Sequence, residues 1–272
     1  MSAVAGSTQS RVETREDLAL WVARAAPGPA AGVETLRFEY SSRGDRVPAR
    51  LLLPADADRP APLILLQHGA GGAKDSDYLD TAALPWVQRG AAVASIDFPL
   101  HGQRHSDKLS EWMLQSLAAS KPATEGPWGD LWHEFATQSV ADLQRALDAL
   151  EQLPQVDVER CAYAAFSLGA ILGAGFCGAD PRPRAAALAL GGGGFGPEAL
   201  DPTRRIGAFA PRPLLFVNAT RDERIPRASA EALHAGAGDP KRVEWFDSGH
   251  TDLPGRALKA MWRFLAEQLE ID

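Results

Sequence analysis

Three side chains able to share a proton relay stand far apart in this chain of 272 residues, at Ser167, Asp222 and His250. A serine hydroxyl is a weak nucleophile until a base takes its proton. The imidazole that takes it needs a carboxylate to fix its tautomer and support its cation. Ser167 stands in Ala165-Phe166-Ser167-Leu168-Gly169, between an apolar run and a stretch of small residues. At a strand-to-helix turn of this kind the hydroxyl is lifted above the sheet edge, and the residues two positions away on either side must be small. Gly169 meets that demand; Ala165 carries one methyl more than the glycine of the Gly-x-Ser-x-Gly pattern. A helix-capping serine is the plainer reading of the same residue.

His250, in Asp247-Ser248-Gly249-His250-Thr251-Asp252, is read as the base, against the plainer reading of a solvated loop imidazole. Asp222, in Thr220-Arg221-Asp222-Glu223-Arg224, is read as the acid, against a turn aspartate or a helix cap. Asp247 and Asp252 lie nearer His250 in sequence. A residue two or three positions from a loop histidine shares its local turn, whereas the orienting carboxylate must meet the ring from a neighbouring strand end. Asp252 is therefore expected to cap the last helix. His234 is read as a surface residue in mid-helix.

A developing oxyanion needs preorganised donors. His68-Gly69-Ala70-Gly71-Gly72 follows a short apolar run, and the backbone N–H groups of Ala70 and Leu168 are expected to supply them, with His68 bracing the loop. A phosphate-cradling loop would carry Gly-x-x-x-x-Gly-Lys-Ser/Thr, which this segment does not. His101, His105 and Asp107 suggest a metal site, but Pro99 and Gly102 argue for a loop there, and no Glu follows His101. No metal and no cofactor are expected. Residues 103–132 hold Trp112, Met113, Trp128 and Trp132. They are read either as satellite core or as a small cap, with Trp112 and Trp132 walling the substrate pocket.

Elements must bring these residues together. A helix is expected over residues 10–26, with Leu18, Trp21, Val22 and Ala25 on one face, and a hairpin of Leu36–Tyr40 and Val47–Leu53 turning at Arg43-Gly44-Asp45. Unalternating apolar runs at Pro62–Gln67, Ala91–Asp97, Cys161–Phe166, Arg184–Leu190 and Pro213–Asn218 predict strands buried on both faces, and Val243–Phe246 adds a last strand. Helices are expected near residues 78–89, 131–153, after Ser167, from Arg227 and over 258–269, with residues 98–130 irregular. Gly191–Gly194 is read as a place where backbone packs closely. Alternating strand and helix imply one doubly wound, mostly parallel α/β sheet over residues 1–272, with ligands at the carboxyl ends of the strands.

Composition narrows the function classes. The chain is 45% apolar and 23% charged, with 28 basic and 35 acidic residues, a net charge of −7. No basic block suggests nucleic acid, and no apolar run is long enough to span a bilayer. Two cysteines, Cys161 and Cys177, permit neither a disulfide framework nor a four-thiolate site. The residues Met1–Gln9 lack the basic start and apolar core of a signal peptide, so a cytoplasmic protein is expected.

The chain order Ser167, Asp222, His250 and the motifs at residues 68–72, 97–102, 165–169 and 249–250 resemble the α/β-hydrolase superfamily. The resemblance is greatest to its bacterial serine esterases of the dienelactone-hydrolase and prolyl-oligopeptidase-like branch. It implies a hydrolase of small-molecule carboxylic esters working through an acyl-enzyme. Dienelactone hydrolases proper use a cysteine where this chain has Ser167. Amide or thioester cleavage by the same groups, and a hydrolase-like binding protein without chemistry, are the alternatives.

Overall fold

A computed structural model describes residues 17–23, 25–118, 126–195 and 198–271. Its strands are β1 (Trp21–Val22), β2 (Ala26–Pro27), β3 (Val33–Ser42), β4 (Asp45–Pro54), β5 (Ala61–Gln67), β6 (Ala92–Ile96), β7 (Val156–Phe166), β8 (Ala186–Ala189), β9 (Leu214–Ala219) and β10 (Lys241–Phe246). The helices are α1 (Asp77–Val87), α2 (Asp107–Ala118), α3 (Gly126–Leu150), α4 (Leu168–Ala179), the short α5 (Pro202–Arg205), α6 (Arg227–Gly236) and α7 (Gly255–Leu269). All ten strands join one sheet, in the order β1-β3-β4-β6-β5-β7-β8-β9-β10, with β2 also pairing β3. From β6 to β10 the pairing is parallel; β3 and β4 add an antiparallel hairpin, and β4 runs antiparallel to β6.

The unalternating apolar runs are explained by helices on both faces. Along β5, Leu63 and Leu65 pack into a core shared with α3, α4 and α6, while Ile64 and Leu66 pack into one shared with α1 and α7. Every residue of β5, β6, β8 and β9 is buried. The chain leaves β5 towards β6 on one side, and β7 lies on the other, so the carboxyl end of β5 is a point where the strand order reverses.

Three expectations are corrected. The part of the expected helix over 10–26 that lies in the described residues is extended instead. β1 and β2 pair antiparallel with β3, and Ser41 donates its N–H to Leu18 O at 2.7 Å. The edge of β3 offers unpaired backbone groups, and satisfying them outweighs the weak helical pattern. The stretch read as irregular holds α2 and the start of α3. Pro127 falls in the first turn of α3, where its missing N–H costs nothing, so this proline opens a helix rather than breaking one. Finally, β7 begins at Val156, and a register shift between Pro62 and Leu63 absorbs the added length.

Candidate active site

Strand register delivers the chemistry. β5 and β7 pair Gln67 with Ala165, so two residues on, Gly69 stands opposite Ser167. A Cβ at Gly69 would lie 3.3 Å from Ser167 Cβ, so the glycine eases the close approach of the loop. On the far side β9 and β10 pair Ala219 with Phe246, and the loops that follow carry Asp222 and His250 to the same height.

Ser167 turns from β7 into α4 with φ 50° and ψ −114°. That left-handed conformation costs a β-carbon residue roughly 1–3 kcal/mol, and persists because its surroundings over-determine it. The Ser167 N–H donates to Ala189 O at 2.8 Å, and the Tyr163 hydroxyl donates to Gly169 O at 2.8 Å. A Cβ at Gly169 would meet His68 O at 2.7 Å and Ala165 Cβ at 3.2 Å. The extra methyl of Ala165 therefore fits because its partner across the turn has no side chain.

His250 Nε2 lies 2.8 Å from Ser167 Oγ, and its Nδ1 lies 2.8 and 2.9 Å from the two Asp222 oxygens. The carboxylate accepts only, so Nδ1 carries the proton and Nε2 faces the hydroxyl as an acceptor. Asp222 Oδ1 also accepts the N–H groups of Arg224 at 2.9 Å and Ile225 at 2.8 Å. Burial raises the Asp222 pKa, but the bond from His250 and those two N–H groups outweigh it and hold the carboxyl below its usual range. The structure thus brings Ser167, Asp222 and His250 together. Asp247 instead pairs with Arg221 at 2.5 Å. Asp252 Oδ1 accepts the Gly249 N–H at 2.6 Å, and Pro254 occupies the capping position of α7, so Asp252 braces the histidine turn and is not the expected cap.

The Ala70 N–H sits on the loop after β5. The carbonyl of the same peptide, Gly69 O, accepts from Gly72 N–H at 3.1 Å and from His68 Nδ1 at 2.8 Å. A trans peptide points its N–H opposite its C=O, so these bonds aim the Ala70 N–H away from His68. The other His68 nitrogen, Nε2, accepts the Phe98 N–H at 3.3 Å, which leaves a neutral ring with the proton on Nδ1. Burial pushes the His68 pKa down to about 4. Leu168 opens α4, where first-turn N–H groups have no partner within the helix.

Gly69, Ala70, Ser167 and His250 line a cavity of about 420 Å³, with Tyr78, Phe166, Leu190, Leu253 and Leu258 as its apolar walls and Arg224 and Thr251 beside them. Neither Trp112 nor Trp132 lines it. Trp132 is buried against Phe135 and borders a different cavity between α3 and α4, while Trp112 is 43% exposed. The side chain of Trp128 lies outside the described residues. α2 still adjoins the site, since Leu114 Cδ2 would lie 4.0 Å from a Cβ at Gly71.

Sequence reasoning missed two residues here. Lys74, part of no motif, is buried with Asp97, Nζ to Oδ2 at 2.7 Å. Tyr78 Oη accepts the Gly69 N–H at 2.8 Å. His234, read as exposed, is buried between Phe216 and Trp245, with Nε2 3.2 Å from Asn218 Oδ1. No motif marked any of them, because tertiary placement and not residue spacing supplies each partner.

His101 Nδ1 bonds Pro99 O at 2.9 Å, while His105 lies 3.4 Å from Asp107 at the surface. Among the described residues no three His, Cys, Asp or Glu side chains are grouped to hold a metal, and no helix is long and apolar enough to cross a membrane. Cys161 and Cys177 are buried and unpaired, and burial pushes the Cys161 thiol up to about 12, far from a nucleophile's range.

Residues 24–189, more than half of the chain, match the model of the acetyl xylan esterase (AXE1) family. Among solved structures, an acetyl xylan esterase from Paenibacillus sp. R4 superposes with a TM-score of 0.72 at 20% identity, covering 93% of this chain and 89% of that one. A cold-adapted esterase from an Arctic intertidal metagenomic library, bound to PEG, gives 0.71 at 22% identity, covering 89% and 96%. Acetyl xylan esterase 1 from Thermoanaerobacterium sp. gives 0.70 at 16%, covering 93% and 89%. These identities speak for the fold. No curated protein matches the chain significantly. With the α/β-hydrolase fold in place and a family model spanning β2 to β8, the chain belongs to the acetyl xylan esterase family and is a carboxylic-ester hydrolase.

Proposed function

We propose that Ser167, His250 and Asp222 perform the ester hydrolysis of this enzyme, with the N–H groups of Ala70 and Leu168 holding the oxyanion. The continuous relay of 2.8 Å from Ser167 Oγ to His250 and 2.8 Å from His250 to Asp222, in the wall of one cavity, carries this reading. Ser167 Oγ attacks the ester carbonyl while His250 Nε2 takes its proton. The carbonyl oxygen becomes an anion facing the two N–H groups, where removing one donor costs on the order of 10²–10³ in rate in enzymes of this kind. The imidazolium then gives its proton to the departing alcohol, leaving an acyl-serine. Water, deprotonated by His250, attacks the acyl carbon, and the proton returned to Ser167 releases the acid. Asp222 keeps Nδ1 protonated throughout and offsets the imidazolium charge.

The family's description supports an acetyl group on a carbohydrate hydroxyl as the substrate, a small-molecule ester that needs no cofactor. A single domain and a reducing, cytoplasmic setting fit the one continuous sheet and the two buried free thiols. Rates on nitrophenyl esters of graded acyl length, measured with wild type and Ser167→Ala, test the proposal. Acetate should be the fastest ester, and Ser167→Ala should lose on the order of 10⁵–10⁶ in kcat. Retention of more than about a thousandth of the rate by Ser167→Ala would mean another nucleophile.

A further inference from the structure

The close approach of the β5 loop to Ser167 creates a difficulty that Tyr78 resolves. Gly69 brings the loop so near that a Cβ there would sit 3.3 Å from Ser167 Cβ, tighter than most side chains pack, and 3.5 Å from Phe166 O. A glycine leaves both of its backbone dihedrals soft, and those two angles set where the next N–H, that of Ala70, points relative to Ser167. A donor free to swing stabilises a transition state far less than one already in place. The peptide after Gly69 is held by its carbonyl, through His68 and Gly72. The peptide before it is held by its N–H, which donates to Tyr78 Oη at 2.8 Å.

Tyr78 is itself well fixed at that oxygen. It belongs to the first turn of α1, and its ring meets Phe166, the residue before Ser167, edge to face at 5.7 Å and 81°. Its hydroxyl reaches into the loop so far that a Cβ at Gly72 would lie 3.0 Å away. The side chain also lines the cavity that holds Ser167 and His250. Burial lifts the phenol to about 12, so it stays protonated and neutral wherever the enzyme works.

We propose that Tyr78 is a positioning residue for the oxyanion site: by accepting the Gly69 N–H it holds the glycine that precedes Ala70, and so aims the Ala70 N–H. This inference rests on the proposed roles of Ser167 and Ala70. A wall residue would act on substrate binding; a clamp on an oxyanion donor acts on the transition state alone.

Tyr78→Phe keeps the ring on Phe166 and removes only the oxygen. The expected result on a nitrophenyl acetate is a fall in kcat of about 10- to 100-fold with KM within about threefold, less than the loss of a whole donor. Rates are referred to active sites titrated with a fluorophosphonate. The inhibition constant of a trifluoromethyl ketone, whose tetrahedral alkoxide occupies the oxyanion site, should rise by the same factor as kcat/KM falls, while inhibition by the product acetate stays unchanged. An unchanged kcat, a rise in KM alone, or a loss that disappears on active-site titration would overturn the role of Tyr78. Ser167→Ala assayed alongside keeps the two claims apart. If it remains active, the triad reading fails. If it is dead while Tyr78→Phe equals wild type, only the clamp fails.

Discussion

The two sides of the Ser167 cavity are fastened by different physics. On the side proposed to hold the oxyanion, the oxyanion side, the β5 loop is tied inward. Asp97, fully buried at the end of β6, accepts Lys74 Nζ at 2.7 Å, the Lys74 N–H at 2.8 Å and the Gln103 N–H at 2.9 Å, and Ser95 Oγ donates to Lys74 O at 2.9 Å. On the side of the proposed acid and base, the acid–base side, the loops after β9 and β10 are tied to each other near water. The ladder runs on past the strands, with Thr220 N–H to Phe246 O at 2.8 Å and Arg221 N–H to Ser248 O at 3.0 Å. Carboxylates then cap the turn: Glu223 on the His250 N–H at 3.2 Å and Asp252 on that of Gly249. A buried ion pair broken on one side leaves an uncompensated charge, whereas a hydrogen bond broken at the solvent rim is replaced by one to water. The oxyanion side should therefore fail through stability, and the acid–base side through chemistry.

That contrast sets an order of expected effects. Asp222→Asn should lower kcat by on the order of 10⁴, because the ring loses its tautomer and the cation its support. Circular dichroism and the thermal midpoint of this variant should stay close to wild type. Lys74→Met should do the opposite, costing about 3–5 kcal/mol in urea unfolding by leaving Asp97 charged and unpaired in the core. Acid should also loosen the β5 side through His68. The unfolded imidazole of His68 takes a proton below about 6.5, while the folded ring resists until about 4. Between those values the unfolded state binds more protons, so stability falls as pH drops through that window, by roughly 3 kcal/mol from this residue at 1.36 kcal/mol per pH unit. Urea midpoints measured from pH 7 to 4 for wild type and His68→Gln should converge towards acid. Asp252→Asn should bring the smallest change, about 1 kcal/mol of stability and under tenfold in rate, since its oxygen holds one N–H of an exposed turn. If Asp252→Asn were the slower enzyme of the two aspartate variants, the assignment of the acid would be wrong.

The same contrast explains what the sequence made legible. The acid–base side could be read because each of its residues lies in a polar loop just beyond an apolar strand, and parallel register brings such loops together. Ala70 and Leu168 could be proposed as donors because Gly-rich and small-residue turns leave few choices of backbone. What stayed hidden depends on distant partners. Lys74 becomes a core residue only because Asp97 ends the neighbouring strand, and His234 is buried only because β10 lays Trp245 over it. Propensity also misled where tertiary pairing decided the outcome. The residues before Pro27 read as an amphipathic helix, but Trp21 and Val22 lie exposed on an added edge strand. Trp132 and Trp112, alike in type and close in sequence, part company because one turns into the α3–α4 core and the other to solvent.

Ser167 is the proposed nucleophile, the residue that carries the acyl group between the two steps. That role is tested most directly by treating the full chain with a fluorophosphonate, digesting it and locating the adduct by mass. A single phosphonylated residue, Ser167, is expected, formed rapidly in wild type, slowed by on the order of 10⁴ in Asp222→Asn, and absent from Ser167→Ala. An adduct on any other residue, or a wild-type enzyme that hydrolyses nitrophenyl acetate yet leaves Ser167 unlabelled, would contradict it.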